Sequence, residues 1–172
     1  MQNLNPQVTR EELRSFQKLL GIDSFRKDFI QPGQLRTKIL EEEKLRQCES
    51  LFTTFNDFLW QLYEGYMKAQ HIFTKEGEAG MIGLYFPPNL VELPLHRHDY
   101  SDRTILIRKG SGIFLHKNLE EQIIQTPVTP GSLLEFPCRT VHTFHAGLEG
   151  LTTYSVHYPF IPFASPNVIT YL

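Results

Sequence analysis

Cysteine is scarce, with only Cys48 and Cys138 in the chain, which excludes a disulfide framework and the paired spacing of a zinc ribbon. Both are expected as free thiols. No uninterrupted apolar run reaches the length a bilayer requires, and the polar, acid-containing N-terminus lacks the basic-then-apolar pattern of a signal peptide. The chain therefore reads as cytoplasmic. An excess of one charge is missing too: the formal net charge is -2, which gives no broad footprint for nucleic acid or an acidic membrane. Internal repeats and low-complexity stretches are absent. At 172 residues the chain suits one domain with a sizeable core, or one domain carrying an extension, and is too short for two large domains.

Helix-breaking residues are missing from one long stretch. Thr9 followed by Glu12 forms a capping-box pattern ahead of Leu13, Phe16, Leu19 and Leu20 at helical spacing, and Gly21 supplies a stop. After the Pro32-Gly33 turn, residues 34–70 contain no Pro and a single late Gly. Leu51, Phe52, Phe55, Phe58, Leu59, Leu62, Tyr63 and Tyr66 form a broad apolar stripe there, which predicts one long helix or two abutting ones. A stripe this wide exists to be buried, against the following residues or a second copy.

From about His71 the texture changes. Short β-rich runs at 80–86, 103–108, 112–116, 132–136 and 151–158 alternate with Pro- and Gly-bearing turns, the pattern of an antiparallel sandwich or small barrel. The tail from Ile161 carries Pro162 and Pro166 before a short apolar end, and is expected to lie over a sheet or a neighbour.

Chemistry concentrates in Leu93-Pro94-Leu95-His96-Arg97-His98-Asp99-Tyr100-Ser101-Asp102-Arg103. His96 and His98 project from the same face of a strand, where two imidazoles can share a metal ion. A third histidine, His142, follows in Pro137-Cys138-Arg139-Thr140-Val141-His142. Downstream, Arg103 falls in phase with Ile105 and Ile107, whereas Asp102 falls in phase with Thr104 and Arg108, so the interior position goes to Arg103. A guanidinium cannot ligate a metal but grips carboxylates bidentately. Arg103 is therefore read either as an anchor for a substrate carboxylate or as a salt-bridge partner of Asp99 or Asp102. His145 is out of phase with His142 and expected exposed; His71 and His116 carry no usable signal.

These residues resemble the two motifs of the cupin superfamily, the RmlC-like barrels. The first runs His-x-His, three or four residues, Glu, six residues, Gly, and is matched by His96, His98 and Gly110. The second runs Gly, five residues, Pro-x-Gly, two residues, His, three residues, Asn, and is matched by Gly131, Pro137 and His142. Its second Gly is Arg139 here and its Asn is Ala146; Leu90 replaces a Gly that usually precedes the first motif. The Glu ligand is replaced by Asp102 at the shorter spacing or Arg103 at the longer one.

The resemblance covers roughly residues 77–160. It implies a mainly β fold, a cupin-type double-stranded β-helix (jelly-roll barrel) over residues 71–172; it does not reach residues 1–70, which the capping box and apolar stripe make an N-terminal α-helical extension. It implies a divalent metal held by His96, His98 and His142, with Fe foremost and Mn, Ni or Zn as the others. A looser similarity links Ser155-Val156-His157-Tyr158-Pro159-Phe160 to the three-histidine thiol (cysteine) dioxygenases, whose matching histidine lies behind the metal ligands. Their tyrosine two residues past it is Pro159 here, and their thioether-forming Cys is Arg103. A dioxygenase is therefore expected, with Arg103 and His157 as catalytic residues and an acidic small molecule as substrate. A satisfied core histidine is the competing reading of His157. The alternatives are a barrel that binds a sugar or acid without chemistry, and an isomerase or epimerase. A homodimer is expected, because small cupins commonly pair through sheet edges and the apolar stripe needs a cover.

Overall fold

The computed structural model describes residues 8–21, 31–55, 58–63, 67–88 and 94–172. Leu90 and Tyr66, singled out above, lie outside these residues. Helix α1 spans Arg10–Leu19, and the Thr9 hydroxyl caps it by accepting from the Glu12 amide at 3.1 Å. Helix α2 spans Glu42–Phe55. The strands are β1 (Arg36–Ile39), β2 (Gln61–Tyr63), β3 (Met67–Phe73), β4 (Gly80–Phe86) and β5 (His96–Arg97), followed by β6 (Asp102–Lys117), β7 (Ile123–Val128), β8 (Ser132–Phe136), β9 (His142–Tyr158) and β10 (Thr170–Tyr171). All pairings are antiparallel, in the order β1-β8-β6-β9-β4-β3-β2, with β7 on β6 and β5 between β9 and β10.

The long strands β6 and β9 run beside each other and bend together. Residues 102–110 of β6 pair with 151–158 of β9, and residues 112–116 pair with 142–146. The register shifts between Ile107 and Lys109 and again between Gly110 and Gly112, and the first run ends at two glycines with positive φ, Gly110 at 80° and Gly150 at 77°. A side chain does not fit at the bend, since a Cβ on Gly110 would stand 2.0 Å from the Gly150 carbonyl oxygen. The bend brings the two halves of the ladder face to face. Ile105 and Ile107 from the first half share a buried cluster with Phe114 and Phe144 from the second.

Alternation gives the first half a second buried face. Leu106, Tyr154 and Val156, each out of phase with the barrel-facing residues, pack with Phe16, Phe52 and Phe55 of the helices. The Arg108 guanidinium sits 4.8 Å over the Phe52 ring and donates to the Tyr154 hydroxyl at 2.6 Å. The buried Gln70 side chain on β3 donates to the Phe55 and Phe58 carbonyls, both at 3.0 Å, and so ties off the end of α2. Part of the apolar stripe is thus consumed inside the chain, while Leu59 and Leu62 remain exposed at 73% and 71%. Both cysteines are free, and burial pushes the Cys48 thiol up to about 11.

The first seventy residues are not uniformly helical, and this corrects the expectation of helix from residue 34 to 70. Strand β1 pairs with β8, β2 pairs with β3, and β3 begins at Met67. Every residue of β1 is exposed, so it joins the sheet through backbone hydrogen bonds that leave no apolar pattern to read. In β3, Met67 and Ala69 are buried on either side of exposed Lys68, a period of two that the wider aromatic stripe masked. Among the described residues no helix is long and apolar enough to cross a membrane.

Candidate metal centre

Strand pairing assembles the histidines. His96 lies on β5 directly opposite His142, the first residue of β9, and His98 follows one residue after β5. The ring centroids are 4.4 Å apart for His96 and His142, and 5.2 Å for each of the other two pairs. One ligating atom from each residue lies within 4.8 Å of the others, and no carboxylate belongs to the group among the described residues.

Each ring is oriented by a backbone carbonyl. The Nδ1 atoms of His96, His98 and His142 sit 3.0, 2.7 and 2.9 Å from the carbonyl oxygens of Pro94, Val168 and Thr140. A carbonyl oxygen only accepts, so each Nδ1 must donate and each lone pair falls on Nε2. Three imidazoles with the same enforced tautomer match a metal-binding donor set. Burial, the Arg103 guanidinium and the other two imidazoles hold His98 well below the ordinary histidine range. Burial and His96 do the same to His142. Both are therefore neutral, the form that binds a cation.

The turn that carries His142 is hooked to the first motif. The Arg139 amide donates to the His98 carbonyl at 2.8 Å, and Arg139 itself has φ 65°. The position given to Gly in the family motif keeps its left-handed backbone here with a non-Gly residue. Gly33 donates from its amide to the Thr140 hydroxyl at 3.1 Å, so the Pro32-Gly33 turn braces the same corner.

The histidines line a cavity of about 60 Å³ whose other walls include Met67, Ile105, Phe144 and the tail residues Val168, Ile169 and Tyr171. Arg103 also lines it, 3% exposed, with its guanidinium donating to the Ser101 hydroxyl and to the Asp102 carbonyl. Asp102 turns to another partner, accepting from the Cys138 amide at 2.7 Å. Asp99 pairs with Arg97 at 2.7 Å and accepts from the Thr170 hydroxyl. His145 is half-buried opposite Ile113, outside the three-histidine group. His116 is buried against Phe114, and His71 packs against Phe163.

His157 stands across from Arg103 on the neighbouring strand and lines the same cavity. It is buried, yet neither ring nitrogen has a hydrogen-bond partner, and the same holds for the Ser155 hydroxyl two residues earlier. Sequence reasoning singled out His157 but passed over Ser155, which shares its face by strand alternation. It also missed Val168, whose contribution is a carbonyl and leaves no mark on residue type.

Burial first, then Arg103 and His71, hold His157 well below its ordinary pKa of 6.5. Unfolding restores the ordinary value, so below about pH 6.5 the unfolded chain takes up a proton that the folded chain refuses. The stability present above that pH is thus lost on acidification. His157→Gln should flatten the decline of Tm between roughly pH 7 and 5; an unaltered slope would show that the ring titrates normally.

No protein-family model matches the chain, and no curated protein matches it in sequence. Solved structures do match in fold. KdgF from Halomonas sp. superposes with a TM-score of 0.53 at 16% identity, over 62% of this chain and 92% of that one. Streptomyces Pac13 with uridine, described as a unique nucleoside dehydratase, gives 0.53 at 10% identity, over 69% and 87%. Oxalate decarboxylase OxdC of Bacillus subtilis gives 0.55 at 19% identity, over 69% of this chain but only 31% of the longer enzyme. An antiparallel barrel folded from bent strands, histidines paired across β5 and β9, and these neighbours together give the chain the cupin fold.

Proposed function

We propose that this chain is a metal-dependent cupin enzyme that carries out a dioxygenation on a small, acidic molecule. The observation that carries the metal reading is the enforced Nε2 lone pair on each of His96, His98 and His142 within one cluster. Imidazole donors suit iron, zinc, nickel and copper; iron and copper both serve oxygen chemistry, and iron, the metal of non-haem oxygenase sites, is the one proposed here. Bound there, it would supply the redox and Lewis-acid chemistry that a dioxygenation needs. The chain's own residues do the rest. Arg103 fixes an acidic group of the substrate, because a permanent cation beside a metal site is favourable only with an anion between them. His157, neutral and unengaged at Nδ1 and Nε2, carries one N–H and one lone pair to hold or move a proton. The apolar walls exclude water.

The neighbours named a dehydratase and a decarboxylase host other chemistries on this fold, so oxygen uptake is the deciding measurement. Purified protein should contain one equivalent of iron by elemental analysis and consume O₂ when small carboxylic acids are added. Iron without uptake would remove the dioxygenase reading alone. The absence of a carboxylate from the cluster among the described residues favours a second reading, a barrel that binds a small ligand without chemistry; protein free of any transition metal that still binds a small sugar or acid would support it. The proposal includes a homodimer formed through the exposed Leu59 and Leu62 beside edge strand β2, which mass measurement in solution checks.

Arg103 offers a sharper test. Arg103→Gln should weaken binding of the acidic ligand by roughly 10- to 100-fold, the scale of a lost charge-assisted hydrogen bond, and leave metal binding intact. Arg103→Glu should bind metal more tightly by adding a carboxylate, while losing the anion. Unchanged metal and anion binding in both variants would show that the guanidinium serves only the Ser101 corner.

A further inference from the structure

The tail after Phe160 is built into the metal centre. Its residues Phe163, Val168, Ile169 and Tyr171 line the cavity, and the Val168 carbonyl is the acceptor that fixes the His98 ring. Three further contacts hold it down. Strand β10 pairs Thr170 with Arg97 and Tyr171 with His96, the Leu172 amide donates to the Leu95 carbonyl at 3.2 Å, and the Thr170 hydroxyl donates to Asp99 at 2.7 Å. From Val168 onward these anchors lie on residues 95–99, the segment that carries two of the three histidines, while Phe163 at the start of the tail packs against His71.

We propose that residues 163–172 form a strap with two tasks: Val168 is a positioning residue for His98, and the strap as a whole is the gate of the cavity. This rests on the metal reading above. The positioning task follows from the 2.7 Å contact, because without the Val168 carbonyl the His98 tautomer and ring direction are no longer specified. The gating task follows from volume. With the strap down the cavity measures about 60 Å³, room for a few waters, whereas small-molecule sites usually span roughly 300–1,000 Å³. A substrate larger than a few waters fits only if a wall moves. The strap is the wall with the shortest ladder, since β10 contributes only two paired residues where β3, β4, β6 and β9 are held by long ladders and two packed clusters. The strap therefore couples access to ligand geometry: lifting it opens the cavity and releases His98 in one motion.

Two truncations separate the tasks, with Co²⁺ as the probe. Removing residues 168–172 deletes the Val168 carbonyl and should weaken Co²⁺ binding by roughly 10- to 100-fold, the usual cost of losing a partner behind a ligating histidine. It should also change the visible absorption of the bound ion, which a merely structural loss would not. Removing residues 170–172 keeps the carbonyl but deletes the ladder, and should leave the spectrum alone while speeding Co²⁺ release into excess chelator at least several-fold. Full-length affinity, spectrum and release rate in both truncations would overturn the strap while leaving the metal reading intact. A full-length chain that binds no Co²⁺ would overturn the metal reading and the strap with it. If the shortened chains do not fold, Thr170→Val loosens the strap in the intact chain; faster release supports the gate, and an unchanged rate overturns it.

Discussion

His142→Ala should abolish metal binding under conditions where the parent protein is loaded, lowering affinity by more than roughly 100-fold, beyond the loss seen when only a partner behind a ligand is removed. His142 is 3% exposed and wedged against Phe114 and Phe136, with ring centroids 5.7 and 4.5 Å away. Among the described residues the group contains only His96 and His98 besides, so none of them outside it stands ready to take its place. His96→Ala and His98→Ala should lose metal as well, whereas His145→Ala should keep it. Competition with a chelator of known affinity measures all four. Equal losses across the four variants, or retention by His142→Ala, would dismiss the three-histidine centre.

The second large effect belongs to the helices. Phe52→Ala should destabilise the fold by about 3–5 kcal/mol, the range for deleting a fully buried aromatic side chain. Phe52 is 1% exposed, stacks on Tyr154 at 5.1 Å, meets Phe16 and Phe55 edge-on or tilted, and carries the Arg108 cation on its face. For a chain of this length that loss corresponds to a drop in Tm of roughly 10 °C. Metal affinity of the variant should be unchanged at temperatures where it remains folded, because Phe52 and the cavity lie on opposite faces of the sheet. A shift of only about 2 °C would mean that α1 and α2 are a detachable cover. A large drop in Tm accompanied by metal loss at low temperature would mean that the two faces are coupled.

How much of this was legible in the residues depends on which atoms do the work. The histidine pair and His142 were readable because side-chain identity, a period of two and a turn motif all point at them. The direction of Arg103 was readable by counting along β6, and the structure puts it at the cavity wall beside Ile105. Asp102 could be placed only by elimination, since its acceptor role toward the Cys138 amide depends on how two distant turns meet. Strand β1 was hidden because an exposed edge pairs through its backbone. Strands β2 and β3 were hidden by a run of aromatic residues whose spacing satisfied a helix as well as a sheet. The tail's carbonyl at Val168 belongs to the same class of hidden contribution: any residue type supplies it, so only the chain path reveals it.

His142 and His157 lie fifteen residues apart on β9, a reach of roughly 50 Å along a straight strand, yet both look into one small chamber. What shortens that reach is the crease at Gly110 and Gly150, where the β6–β9 ladder doubles over. The ladder acts as a clasp with a fixed fold line, and the separation between its two inner faces is set by an angle at a point with no chemistry of its own. A slight widening at the crease is multiplied along each arm, so the spacing between the histidine rings and the Arg103–His157 pair is governed by leverage. Two glycines that touch neither ion nor substrate thereby hold the caliper on the site.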